Sequence, residues 1–209
     1  LERNPLRGLA LPREESPRRP VLGHEQYEAL RAITSEVSPL FALALVLAHE
    51  TGHRIGSIRQ LRWSDVDTQA ATVRWRAETD KIGAEHVTPL TAPAAEALDR
   101  QRRSAPAIGD AWVFPAPGDG GQPCSRHLLR DWWERAAVRV GLPAGERFGY
   151  HSLRRQFASE LKETPLADLA YLGGWKDPQT ILKCYQRPDA DTMRRALEQR
   201  RPLRAGSAR

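Results

Sequence analysis

Cysteine is scarce in this chain of 209 residues: Cys124 and Cys184 stand far apart, and no cysteine pair has metal-ligand spacing. That argues against a disulfide framework and against a zinc finger. Long hydrophobic runs are missing too. The longest, Leu40 to Ala48, is too short to cross a bilayer. No signal peptide opens the chain, so a soluble, cytoplasmic protein without a membrane partner is expected. Internal repeats and low-complexity blocks are also lacking. Acidic residues are in the minority, 26 against 32 Lys plus Arg, which leaves a net charge of +6. Arginine far outnumbers lysine. That balance favours a polyanion such as nucleic acid as partner. The first residue is Leu, so a piece of a longer protein is expected.

What is there reads as one sizeable domain. Residues 1–20 are rich in Pro and Arg and read as a linker, 21–200 as the domain, and 201–209 as a basic tail. His24 to Val37 carries Tyr27, Leu30, Ile33 and Val37 at helical spacing. Pro39 starts a helix whose Leu40 to Ala48 stretch is apolar all round, as in a buried core helix. Thr51-Gly52 ends or bends it. Arg54 follows at the start of the next segment, where a charge needs a partner. Asp65 reads as a turn or cap residue.

Ala71 to Glu78 and Glu85 to Leu90 read as two strands of a β-hairpin with Lys81 near its tip. Helices are expected over Pro93–Arg103, Ser125–Val140, Ser152–Leu161, Pro165–Leu172, Pro178–Tyr185 and Asp189–Gln199. Val113 to Pro115 is a short apolar piece, and Pro117 to Pro123 reads as a loop. The fold is therefore expected to be mainly α with a small antiparallel β-sheet. Trp63, Trp75, Trp132 and Trp133 are expected in the core, and Cys184 as a small buried residue.

One stretch concentrates chemistry: His151-x-x-Arg154, then Gly173-Gly174-Trp175, then Tyr185. Residues three apart share a helix face, so His151 and Arg154 are expected to point into one pocket. Histidine moves protons near neutral pH, arginine fits phosphate, and a tyrosine hydroxyl can act as nucleophile. These types suit attack on a phosphodiester. A second motif competes: His49-Glu50-Thr51-Gly52-His53 fits the H-E-x-x-H zinc hydrolase signature, with Glu78 a possible further ligand. Gly52 inside the required helical turn speaks against it, and neither a metal nor a cofactor is expected.

Thr51 to Asp65, Lys81, His151-x-x-Arg154, Leu172 to Trp175 and Tyr185 stand in an order that resembles the catalytic domain of tyrosine recombinases, the phage integrase family. The resemblance runs from about His24 to about Glu198. It implies the DNA breaking-rejoining fold and site-specific cleavage and rejoining of double-stranded DNA through a 3′-phosphotyrosyl intermediate. By that resemblance Arg54 and Arg154 hold the phosphate and Lys81 is the general acid. His151 assists proton transfer, Trp175 donates a hydrogen bond to the phosphate, and Tyr185 is the nucleophile.

The resemblance also implies a missing N-terminal DNA-binding domain, a homotetramer on DNA, docking of the last helix on a neighbouring protomer, and accessory DNA-bending proteins. Arg126, His127 and Arg130 would lie near DNA. The chain departs from the family at Ser57, where an acid is common, and in the ten residues from Trp175 to Tyr185. Lys176 competes with Trp175 for the phosphate, and Tyr171 is the rival nucleophile. The alternatives are a DNA-binding relative that no longer cleaves, a type IB topoisomerase and a zinc hydrolase.

Overall fold

The computed structural model describes residues 20–79, 83–105, 107, 109–186 and 190–198. Two helices, α1 (His24–Ala32) and α2 (Thr34–Val37), precede the central α3 (Pro39–Thr51) and the short α4 (Ile55–Ile58). The expected single helix from His24 to Val37 is broken at Ile33. There the Thr34 hydroxyl donates to the Arg31 carbonyl at 2.8 Å, offering the backbone a local alternative to the helix ladder.

α3 forms where expected. Ser38 caps it by accepting from the Leu40 N–H at 3.2 Å, Pro39 opens it, and Gly52 ends it in the left-handed region at φ 63°. Phe41, Leu43, Ala44, Leu45, Leu47 and Ala48 are all buried. α3 packs against α5 (Ala92–Ser104) and α7 (Tyr150–Glu160), so it is the axis of the larger core.

A single 3-10 turn at Trp63–Asp65 leads into an antiparallel sheet of β1 (Val66–Asp67), β2 (Thr72–Trp75) and β3 (His86–Pro89). The two expected strands are thus joined by a third, which at two residues is too short to show a period. Val73 and Trp75 face inward from β2, and His86 and Thr88 from β3. Trp75 pairs across the strands with His86. Asp65 does more than cap. Buried at 4% exposure, its carboxylate accepts from Arg74, Arg76 and the Arg62 N–H.

The 117–123 stretch, expected to be a loop, is part of a second antiparallel pair, β4 (Pro115–Ala116) with β5 (Asp119–Pro123). Gly118 at φ 76° makes the turn between them. Its Gly and Pro residues read as a loop because β5 is exposed and carries no alternating pattern.

The remaining helices are α6 (Arg126–Arg139), capped by Ser125, then α7, α8 (Leu166–Gly173), α9 (Gln179–Cys184) and α10 (Ala190–Glu198). Trp63, Trp75, Trp132 and Trp133 are buried, as expected. Cys184 is exposed, against expectation, because the short α9 buries only Ile181. A second, smaller cluster gathers Phe157, Ala158, Leu169, Ala170, Trp175 and Ile181. α7 belongs to both clusters: Leu153 packs in the larger and Phe157 in the smaller. No helix among the described residues is long and apolar enough to cross a membrane.

Candidate active site

Arg154 lies on α7 at the seam between the two clusters and is 1% exposed. A guanidinium at such depth needs its donors engaged. Nη1 donates to the carbonyls of Gly52 and Gly173, and Nη2 donates to the carbonyl of Gly174 at 3.2 Å. The Arg154 Cζ stands 3.6 Å from the centroid of the Trp175 ring, a cation–π stack in a desolvated setting.

The acceptors come from glycines for a steric reason. A Cβ on Gly173 would overlap the Trp175 ring, and one on Gly52 would overlap the Phe157 ring. Arg54, the N-cap residue of α4, reaches the same place: its Nη1 donates to the Gly174 carbonyl at 3.1 Å. The two arginines, a hundred residues apart in sequence, therefore meet at one oxygen.

The chain after α8 folds so as to bring Trp175 and Tyr185 to this point. Gly174 takes the left-handed conformation at φ 64°, and the Trp175 N–H returns to the Ala170 carbonyl at 2.8 Å. Asp177-Pro178 opens α9, with the Gln179 N–H donating to Asp177 Oδ1 at 2.9 Å. α9 ends at Tyr185, which is half-buried with its ring edge-on to Trp175 at 5.5 Å. The Ser159 hydroxyl donates to the Tyr185 carbonyl at 3.3 Å, and the Gln186 amide donates to the Ala158 carbonyl at 3.0 Å. These bonds tie the tyrosine segment to α7.

Arg54, Arg154, Trp175 and Tyr185 are thus linked through contacts. His151 is exposed on the first turn of α7, one turn before the buried Arg154. Lys81 lies outside the described residues. Ser57 is buried and its hydroxyl donates to the Thr79 carbonyl at 2.9 Å, tying α4 to the chain beyond β2. Lys176 is exposed. Tyr171, 54% exposed, sets its ring edge-on to His86 rather than to Trp175.

The two histidines of the H-E-x-x-H motif are not presented by one helical turn. Gly52 ends the helix between its two histidines. His49 stacks on Tyr27 at 3.9 Å and bonds Glu50, while His53 stacks on Trp75 at 3.6 Å. Among the described residues no group of three or more His, Cys, Asp or Glu is placed to hold a metal ion.

Burial, then the charge of Arg154, holds the His53 imidazole well below its ordinary range, so the ring is neutral. The unfolded chain takes up a proton below about pH 6.5 that the native ring refuses. The stability linked to His53 is therefore present above that pH and is lost as pH falls below it. Native His53 is expected to show an unfolding free energy about 1 kcal/mol lower at pH 5.5 than at pH 7, beyond the change in a His53→Gln variant, read by urea titration. Glu50, held low chiefly by its hydrogen bond to His49, adds a separate loss only in the carboxylate range.

Comparison with known proteins places this geometry. The structure matches XerA recombinase with a TM-score of 0.69 at 17% identity, covering 88% of this chain and 67% of that one. It matches the Tn1549 transposon integrase in complex with transposon right end DNA at 0.71 and 18%, covering 90% and 67%. A lambda integrase dimer bound to a core site matches at 0.66 and 21%, covering 84% and 51%. The fold is that of a tyrosine recombinase catalytic domain.

Residues 20–191 match the model of the phage integrase family, and the chain belongs to that family. It is 31% identical over 176 residues to prophage integrase IntF of Escherichia coli strain K12, covering 81% of this chain and 34% of that protein. It is 27% identical over 196 residues to a putative integrase/recombinase of Haemophilus influenzae, covering 90% of this chain and 60% of that protein. The chain thus spans about a third and about three fifths of these two relatives.

Proposed function

We propose that this chain is the catalytic part, residues 21–200, of a site-specific recombinase that cleaves and rejoins double-stranded DNA through Tyr185. One observation carries the reading: Arg54 and Arg154 donate to the same acceptor, the Gly174 carbonyl oxygen, at 3.1 and 3.2 Å. Two cationic forks that converge on one oxygen suit a non-bridging phosphate oxygen, where negative charge grows in the transition state. The buried Trp175 Nε1–H finds no acceptor among the described residues, and a phosphate oxygen is the kind of partner it lacks.

The reaction balances without any other group. The Tyr185 hydroxyl attacks phosphorus and its proton passes to His151. The bond from phosphorus to the 5′ oxygen breaks, and Lys81 protonates the departing alkoxide. A 3′-phosphotyrosyl link remains, which a second 5′-hydroxyl reverses. Exposed Arg126, His127 and Arg130 on α6 supply phosphate contacts that position the duplex. α10 buries none of its residues, and Met193 and Leu197 are 52% and 69% exposed, which suits packing on a second copy in a DNA-bound assembly.

The test is a nicked suicide duplex drawn from a library by binding, incubated in EDTA. A covalent adduct on a denaturing gel is expected from the protein and from Tyr171→Phe, and none from Tyr185→Phe. An adduct retained by Tyr185→Phe would overturn the assignment. Binding without any adduct would point to a relative that no longer cleaves.

A further inference from the structure

The turn that carries Arg54 is held by a pair of histidines. Gly52, His53 and Arg54 lie between α3 and α4 in non-helical conformation; the Arg54 carbonyl accepts the first bonds of α4 from Ser57 and Ile58, at 2.9 and 3.1 Å, and the backbone before it is held by other contacts. The His53 side chain does part of that work. It is buried, stacked on Trp75 at 8° between planes, and its Nδ1 stands 3.1 Å from the Thr51 carbonyl. A carbonyl only accepts, so Nδ1 carries the hydrogen. Nε2 of the neutral ring is then an acceptor.

His86 Nε2 lies 3.2 Å from that acceptor and meets it as the donor, while His86 Nδ1 stands 3.4 Å from the Ala84 carbonyl. Trp75, whose own Nε1–H is locked to the Thr88 hydroxyl at 2.9 Å, pairs with His86 across the sheet. The rung formed by Trp75 and His86 therefore grips His53 by both its face and its edge. A hydrogen bond between two buried histidines is a directional contact that an apolar pair could not replace.

We infer that His86 is a positioning residue: its Nε2–H, through His53, sets the backbone from which Arg54 reaches the scissile phosphate. This rests on the reading of Arg54 as a phosphate ligand. His86→Met removes the donor, whereas His86→Gln keeps an amide N–H in reach of His53.

Single-turnover cleavage of the suicide duplex is measured with a native phosphate and with a methylphosphonate at the scissile position. A methyl in place of one non-bridging oxygen removes charge that a guanidinium would stabilise. On the native phosphate His86→Met is expected to be about tenfold slower in the cleavage step with unchanged affinity for DNA, and His86→Gln within about twofold of the parent. On the methylphosphonate the His86→Met deficit is expected to shrink to about twofold, as is the deficit of Arg54→Ala.

If Arg54→Ala gains nothing from the methylphosphonate, the reading of Arg54 fails, and the inference with it. If Arg54→Ala is relieved and His86→Met is not, the inference alone is overturned. It is also overturned if His86→Gln is as slow as His86→Met. Should methionine at position 86 prevent folding, His86→Val, suited to a strand, is read in its place.

Discussion

Replacing Arg154 with alanine is expected to lower single-turnover cleavage by about a thousandfold and to cost about 3 kcal/mol or more of stability. The two losses have different origins. Cleavage falls because one of two guanidiniums that would face the phosphate is gone. Stability falls because the carbonyls of Gly52 and Gly173 lose their shared donor inside the seam between the clusters. Each buried acceptor left without a partner costs about 1 to 3 kcal/mol. Trp175 also loses the cation beneath its ring.

The Gly174 carbonyl keeps Arg54, so the cost should stop short of complete unfolding. Arg154→Lys separates the two effects. A single ammonium cannot reproduce a fork that reaches several acceptors, so this variant should regain part of the stability and little of the cleavage. Calorimetry beside single-turnover kinetics reads both. An Arg154→Ala protein of unchanged melting temperature would refute the packing described for this arginine.

Gly173→Ala is expected to act almost as strongly without touching a charged group. Its Cβ would overlap the Trp175 ring, and ring and backbone cannot both stay in place. Trp175 must swing away from Arg154 and from the edge of Tyr185, so the arginine stack and the tyrosine contact are lost together. A stability loss of about 2 kcal/mol is expected, with cleavage down by about a hundredfold. Gly145→Ala is the control. A Cβ there meets nothing within 4 Å, and both readouts should match the parent. If Gly173→Ala cleaved at the parent rate, Trp175 would not be part of the site.

These predictions lean on features of unequal visibility in the sequence. α3 was legible because an apolar stretch lies between a Ser-Pro cap and a glycine stop, and each signal has a local cause. The β2–β3 hairpin was legible from Thr72, Val73 and Trp75. The break at Ile33 was not, since it depends on one threonine hydroxyl turning back on the chain. Nor were the β4 and β5 strands, which bury little and so carry no pattern.

At the candidate site, the resemblance to the tyrosine recombinases named Arg54, Lys81, His151, Arg154, Trp175 and Tyr185, and the structure links Arg54, Arg154, Trp175 and Tyr185 through contacts. What joins them is backbone: the carbonyls of Gly52, Gly173 and Gly174. A carbonyl leaves no mark on composition or spacing. The one available signal was glycine where a Cβ would clash. His53 was visible only as half of a zinc motif, and its partner His86 lies on a strand 33 residues on, where no local pattern links the two.

In the proposed reaction Tyr185 becomes covalently joined to DNA. The most direct measurement digests the trapped adduct with nuclease and protease and maps the modified peptide by tandem mass spectrometry. A nucleotide attached to Tyr185 through its 3′ phosphate is expected. A nucleotide on Tyr171, a linkage through a 5′ phosphate, or an adduct on any other residue would contradict it.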